Sequence, residues 1–311
     1  MAWQVALGTA AGTTLLLNTL LVSTPLSPSF WRGSDRGGLA SWAYGRTSRD
    51  ALKDRWLARR VPDEAPLLSS PMLAPHLAHR RELHIAVPTD GTEPPPLGNL
   101  LDQVDYVALD GLFEPAPIPG GGFVGYDWPT LVATLVRPEF GLVSSQDGLL
   151  LLQRRPDGIA DDDWLRMTLA LSLDVRWPDE PPVLVAEFGE AIGLVEATVT
   201  PISPRRCRLR YAWLALSDPV GADPWLAVTE LDGVADARIL HVPTIALYST
   251  TEWRQGEVIV EEFEVDLPDH VAPGEHTLRV GWYDSRQLYA YATDERSRIR
   301  QPIEAGILTV R

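Results

Sequence analysis

The densest cluster of residues that could bind a metal or a charged ligand lies between residues 76 and 84. Three histidines, His76, His79 and His84, occur there together with Arg80. Three imidazoles could hold zinc if they converged on one point. The spacing instead predicts a short helix that carries the first two histidines and a strand that carries the third. We therefore expect a structural or ligand-contacting role for His76, His79 and Arg80, and no metal.

A glycine-rich stretch at residues 120–125 reads GGGFVG and precedes a predicted helix. It satisfies the G-x-G-x-x-G pattern, but in a dinucleotide site the first glycine directly follows a strand, so that the pyrophosphate meets the helix N-terminus. Here residues 113–119, with three prolines, intervene, and neither a lysine nor a hydroxyl residue completes a phosphate loop. The pattern therefore favours a flexible loop, and we expect no cofactor.

Catalytic residues are not evident from the remaining motifs. Carboxylates are plentiful, with Glu261 and Glu262 among them. Glycoside chemistry needs two of them held across one bond, and most are expected on solvated faces. The chain lacks a G-x-S-x-G element, and Cys207 has no plausible base near it in sequence. Nucleophilic catalysis is unsupported, so we assign no catalytic residue.

Length and charge narrow the class of protein. The 311 residues suffice for two ordinary domains, each with its own core. A net charge of -15 argues against a nucleic-acid partner, because a phosphate-binding surface needs clustered basic residues. The single cysteine excludes both a disulfide framework and a zinc site built on cysteines.

The N-terminal segment predicts a membrane anchor. The first 31 residues contain no charged side chain, and residues 1–24 are long and apolar enough for one membrane helix. A secretory signal peptide is the alternative, although no basic residue precedes the apolar run. A linker at 25–46 follows. Its arginines would hold that side of the helix in the cytoplasm by the positive-inside rule.

The rest of the chain predicts an α+β protein with two domains. Strands that alternate with helices indicate a small α/β domain with an open sheet at residues 47–158. In it, a capping pattern at 47–50 predicts a helix that ends at Arg60, and the Asp147-Gly148 turn signal predicts a hairpin of residues 140–144 and 149–154. An acidic, loop-like linker at 159–166 follows. From 167 to 311, strand-like runs such as Trp225–Leu231 recur with turn residues between them and indicate an all-β sandwich that is jelly-roll-like.

The stretch at residues 250–284 has the clearest strand pattern of that second domain. Two runs of period two, at 258–268 and 273–284, flank a Pro-Gly turn signal and predict an antiparallel pair of half-buried strands. Its aromatic residues are expected in the core or on a binding face. Together with the histidine cluster, this stretch supplies the candidate ligand-binding residues, namely His76, His79, Arg80, Trp253, Glu257, Trp282, Tyr283 and Asp284.

Two stretches resemble proteins of a known type. Residues 70–80 read SPMLAPHLAHR, residues 104–110 read VDYVALD and residues 147–154 read DGLLLLQR. This first stretch resembles the C-terminal portion of the DUF2079 family of predicted polytopic membrane proteins. Residues 251–257 read TEWRQGE and residues 273–284 read PGEHTLRVGWYD. This second stretch is similar to the β-sandwich that follows the membrane part of some bacterial mannosyltransferase-like proteins.

The resemblance implies an extracytoplasmic soluble region beside a membrane domain of the GT-C glycosyltransferase type, which uses polyprenyl-phosphate-linked sugars. Such enzymes carry their acidic catalytic residue in a loop after the first of many membrane helices. We expect at most one such helix here, so no residue of this chain inherits that role.

We therefore expect a membrane-anchored accessory or carbohydrate-binding protein that lacks the catalytic membrane domain. We place it outside the cytoplasm, as an extracytoplasmic protein, because the resemblance implies that side, although the linker arginines alone would favour the cytoplasm. Its expected partners are the membrane, a polytopic membrane glycosyltransferase subunit and a glycan. One alternative is the soluble half of a split glycosyltransferase that uses a polyprenyl-phosphate sugar donor. The other alternative is a structural assembly module.

Overall fold

The computed structural model describes residues 48–71, 73–85, 97–110, 137–218, 220, 225–234, 237–284 and 300–310. The chain divides into two compact units, Met1–Asp54 and Arg55–Arg311. The expected membrane helix, the linker after it and the glycine-rich stretch lie outside the described residues. Among the helices that are described, none is both long enough and apolar enough to cross a membrane.

The described residues form a β-rich fold, as predicted. The helices are α1 (Ser48–Arg60), α2 (Leu97–Leu101) and α3 (Asp161–Met167), with a 3-10 turn at Ala74–Leu77 and a π-helical turn at Pro243–Leu247. The strands are β1 (Leu67–Ser69), β2 (Leu83–Ile85), β3 (Tyr106–Asp110), β4 (Phe140–Gln146), β5 (Leu149–Arg154), β6 (Leu171–Arg176), β7 (Ala186–Phe188), β8 (Ile192–Ser203), β9 (Arg206–Ala215), β10 (Trp225–Leu231), β11 (Arg238–Leu240), β12 (Val258–Asp266), β13 (Gly274–Asp284) and β14 (Arg300–Val310).

The first sheet is mixed and has the strand order β2-β1-β3-β5-β4. β1 runs parallel to both β2 and β3, whereas β5 runs antiparallel to β3 and β4. The predicted hairpin of β4 and β5 is confirmed. Its two turn residues, Asp147 and Gly148, have φ of 47° and 77°, the left-handed pair that suits the twist of a tight hairpin.

Two antiparallel sheets follow, with the orders β6-β12-β9-β8-β7 and β11-β10-β13-β14. Every second residue of β9 and β12 points toward one buried cluster that both sheets share, as the period of two in a strand requires. The largest members of this shared core are Phe188, Tyr211, Trp213, Trp253, Phe263 and Trp282.

β12 and β13 do not pair with each other, which corrects the predicted antiparallel pair. β12 pairs with β6 and β9, whereas β13 pairs with β10 and β14 in the other sheet. Hairpin loops usually hold about two to five residues, and the connection here is longer, from Leu267 to Pro273. Because Leu267 and Val271 are buried in the shared core, this connection crosses from one sheet to the other.

Two local predictions also need correction. The helix expected at residues 71–80 is only the 3-10 turn at Ala74–Leu77, since prolines at 71 and 75 break any longer helix. The acidic segment at 159–163, expected as a loop, begins α3 instead. Its three aspartates occupy the first turn, where the helix dipole favours negative charge.

An ion pair connects the first sheet to β11 of the second antiparallel sheet. Asp147 accepts hydrogen bonds from Nε and Nη2 of Arg238 at 2.5 and 3.1 Å, and its backbone amide donates to the Arg238 carbonyl at 2.9 Å. The Asp147 side chain is 1% exposed and that of Arg238 is 14% exposed. This two-armed ion pair therefore joins the β4–β5 turn to β11 in a largely water-free environment.

Cys207 gives a direct test of the core. Its thiol is fully buried, and burial, reinforced by the charge of Asp266, raises its pKa to about 12. Since the thiolate is the reactive form, we expect negligible maleimide labelling of the native protein and complete labelling after denaturation, measured by mass spectrometry. An unfolded thiol ionises near pH 8.5, whereas the buried thiol stays protonated. Cys207 therefore leaves the free energy of unfolding unchanged below that pH and lowers it as the pH rises further. Rapid native labelling would contradict the buried position.

Candidate functional site

A chain of polar side chains crosses the shared core between the two sheets. The Tyr211 hydroxyl lies 2.7 Å from Thr229 Oγ1, which lies 2.6 Å from Nε2 of His241. Nδ1 of His241 lies 2.5 Å from Oε1 of Glu261. The Trp213 indole also donates to Oε1, at 2.8 Å. All five residues are fully buried, and we call them the core network.

One set of proton positions satisfies every member of the core network. The Tyr211 hydroxyl donates to Thr229, Thr229 donates to Nε2 of His241, and Nδ1–H donates to Glu261. The backbone amide of Thr244 donates to the other carboxylate oxygen, at 3.3 Å. Glu261 thus accepts three N–H groups, which offsets the desolvation of a buried carboxylate. Burial also raises the pKa of Tyr211, consistent with a neutral donor.

The hydroxyl, imidazole and carboxylate of Thr229, His241 and Glu261 follow the connectivity of a nucleophilic triad. A nucleophile must meet its substrate, however, and each of these side chains has zero exposed surface. The rings of Tyr211 and Phe263 pack on His241, with centroids 4.7 and 4.8 Å away. The core network therefore holds the two sheets together from within and offers no site for a reaction.

Sequence reasoning missed this network. It expected most carboxylates on solvated faces, whereas Glu261 is fully buried between the sheets. The signal was present, since Ile259, Glu261 and Phe263 share one phase of a period of two and both neighbours are apolar. An inward phase that contains a carboxylate requires buried donors, but the sequence does not show that His241 supplies one.

A surface cleft of about 490 Å³ lies beside a loop of residues 248–257, which we call the cleft loop. Hydrogen bonds fix the shape of this loop. The Trp253 indole donates to the Tyr248 carbonyl at 3.1 Å, and the Trp225 amide donates to the buried Thr250 hydroxyl at 2.9 Å. The cleft is lined by Asp218, Tyr248, Thr251, Glu252, Trp253 and Arg254.

The carboxylate of Glu257 stabilises the cleft loop through two hydrogen bonds. Its Oε2 accepts hydrogen bonds from the Tyr248 hydroxyl and from the Arg254 backbone amide, both at 3.0 Å. Burial, followed by the hydrogen bond to Glu257 and the charge of that carboxylate, raises the pKa of Tyr248 to about 12. The phenol therefore stays neutral at physiological pH, and its ring forms one wall of the cleft.

The candidate ligand-binding residues predicted in the stretch 250–284 do not all lie at the cleft. Trp253 lines the cleft, yet most of its ring lies in the shared core. Trp282 is buried against Trp253 and Trp213, and its indole nitrogen has no hydrogen-bond partner among the described residues. Tyr283 and Asp284 belong to β13, and their side chains lie outside the described residues.

The histidine and arginine cluster does not converge on one point. His79 is mostly exposed and lies 3.9 Å from the Asp63 carboxylate, and His76 lies on the 3-10 turn. The guanidinium of Arg80 is buried and donates to the carbonyls of residues 61, 62 and 65, and burial lowers its pKa. Arg80 thus ties the chain after α1 to the 3-10 turn. Among the described residues, no group of three or more side chains could hold a metal ion.

Compared with known proteins, the chain matches no family model and no curated protein.

Proposed function

We propose that this chain is an extracytoplasmic, membrane-anchored accessory protein that binds carbohydrate and performs no catalysis. In this proposal an α/β domain precedes a jelly-roll-like sandwich domain. The cleft at residues 248–257 is the carbohydrate site, and residues 1–24 are the membrane anchor. A polytopic membrane glycosyltransferase is the proposed partner, in line with the resemblance of residues 70–154 to the DUF2079 family.

The observation that carries the proposal is the composition and rigidity of the cleft. Sugars present hydroxyl groups that both donate and accept hydrogen bonds, together with apolar ring faces. The cleft offers the hydroxyl of Thr251, the guanidinium of Arg254 and an acidic side chain, Glu252, beside the ring of Tyr248. Since Glu257 fixes the phenol of Tyr248 and the backbone at Arg254, the loop loses little backbone entropy when a ligand binds.

The placement of the described polar side chains also supports a binding role. Among the described residues, the one relay of hydroxyl, imidazole and carboxylate is sealed inside the core. The described side chains that line the cleft include no histidine or cysteine but two carboxylates, those of Asp218 and Glu252. Their negative charge, like the net charge of -15, disfavours acidic ligands and favours neutral sugars.

The proposal is tested by replacing Arg254 with alanine in the full-length chain. We expect the Kd for the neutral sugars that the wild type binds on a glycan array, measured by calorimetry, to rise about tenfold, equivalent to about 1.4 kcal/mol. Arg279→Ala is the matched control, because Arg279 is an exposed arginine paired with Asp232 on the other sheet and should bind as the wild type does.

Two outcomes would contradict the proposal. If the Arg254→Ala variant bound the sugars with the same affinity as the wild type, the cleft would not be the carbohydrate site. Transfer of a sugar from a polyprenyl-phosphate donor by the purified chain alone would show catalysis and replace a binding role with an enzymatic one.

A further inference from the structure

Trp177 is the one exposed tryptophan among the described residues. It directly follows β6, and 61% of its surface is accessible. The other described tryptophans are buried or half-buried. An indole gains much from burial, and when exposed it offers a flat apolar face on which a sugar ring can stack.

Trp177 lies beside the loop that forms the cleft. Arg176 pairs with Val258 across β6 and β12, so the next residue, Trp177, lies at the level of Glu257. The edge of its six-membered ring lies 3.5 Å from the position that a Cβ atom would take on Gly256. Gly256 has φ of 93°, a conformation that glycine adopts without strain.

The segment that displays Trp177 is pinned to the sheet beneath it. Residues 178–182 include three prolines, which restrict the backbone before any ligand arrives. Leu184 packs against Gly193, where an added Cβ would meet the leucine at 2.6 Å. Leu184 also covers a small apolar cluster on the outer face of β9 and β12. The backbone that carries Trp177 is therefore anchored on the side of Leu184.

We propose that Trp177 forms a second sugar subsite that continues the cleft, so that the ligand is a neutral oligosaccharide of at least two rings. This inference rests on the proposed carbohydrate-binding function. One ring lies in the cleft and hydrogen-bonds to Arg254 and the residues around it. The next ring stacks its apolar face on the Trp177 indole, which is flat and offers contact at little cost in conformational entropy.

The test compares trisaccharides with monosaccharides on the full-length chain by titration calorimetry, with cellotriose and mannotriose against glucose and mannose. We expect the wild type to bind at least one trisaccharide more tightly than its monosaccharide. Trp177→Ala should raise the Kd for that trisaccharide about tenfold and leave the Kd for the monosaccharide within about twofold. Trp177→Phe, which keeps a flat ring, should recover part of the affinity.

The outcomes separate the two proposals. Equal trisaccharide affinity of Trp177→Ala and the wild type overturns the second subsite and leaves the cleft standing. Loss of monosaccharide binding in Trp177→Ala also overturns it, because one site would then serve both. If the wild type binds neither class of sugar, the proposed function fails as well. Sedimentation that shows dimers dependent on Trp177 without sugar would assign the indole to a second copy. Ile307→Ala removes an exposed apolar side chain of β14. It is the matched control for Trp177→Ala and should bind the trisaccharide as the wild type does.

Discussion

Replacing Glu261 with alanine should lower the free energy of unfolding by about 3–5 kcal/mol. The substitution removes the acceptor of three N–H groups, those of His241, Trp213 and Thr244, which lie in a sealed core. Each buried donor left without a partner costs about 1–3 kcal/mol. Urea unfolding followed by tryptophan fluorescence measures the loss, and the slope with denaturant checks that the transition stays comparable.

The neighbouring residue provides the control for this prediction. Glu262 occupies the outer face of the same strand and makes only long ion pairs, 3.6 Å to Arg208 and 3.9 Å to Arg210. Glu262→Ala should therefore change the stability by no more than about 1 kcal/mol. Equal losses at the two positions would show that Glu261 does not carry the core network.

A second variant keeps the prediction measurable if the alanine protein does not fold. Glu261→Gln preserves the shape of the side chain and still accepts from Trp213. With its amide oxygen in the position of Oε1, it also still accepts from Nδ1–H of His241. Its NH2 group then takes the place of Oε2, so the backbone amide of Thr244 loses its acceptor, and we expect a loss of about 1–2 kcal/mol for one buried donor without a partner.

Removing the Asp147 carboxylate should lower the free energy of unfolding by about 2–4 kcal/mol in Asp147→Ala. The Arg238 guanidinium would remain largely buried without its two-armed partner. Alanine would also have to adopt the positive φ of this turn position, which costs about 1 kcal/mol. Chemical unfolding by urea, followed by circular dichroism, measures the sum.

Asparagine separates the two contributions at this position. Asp147→Asn tolerates the left-handed backbone and keeps one acceptor oxygen for Arg238, but removes the charge. Its loss of stability should be about half that of the alanine variant. If the alanine variant were as stable as the asparagine variant, neither the positive φ at this position nor a hydrogen bond to Arg238 would contribute to the free energy of unfolding. That result would contradict the prediction.

Much of the local structure could be predicted from the sequence, because its causes are local. The run Trp225–Leu231 was predicted with the same bounds that β10 has. The hairpin of β4 and β5 was predicted from the Asp147-Gly148 turn signal, and the helix that ends at Arg60 from its N-terminal capping pattern and apolar face. In each case, neighbours within a few residues determine the backbone.

The partners of those elements could not be predicted, because they are distant in sequence. β12 has the alternation of a hairpin strand, yet its neighbours are β6 and β9. The hydrogen bond from Trp213 to Glu261 joins two strands whose adjacency no local pattern indicates. For the same reason, nothing in its own segment distinguished the exposed Trp177 from the buried Trp253.

The separation of β6 from its partner β12 affects how the chain folds during synthesis. β6 ends at Arg176, and its partner strand begins only at Val258. At roughly 5–20 residues per second, synthesis needs several seconds to deliver β12 after β6 has left the ribosome. Throughout that time, the apolar face of β6, with Leu171 and Leu173, has no strand beside it. We therefore expect β6 to become stably ordered only after β12 has been synthesised.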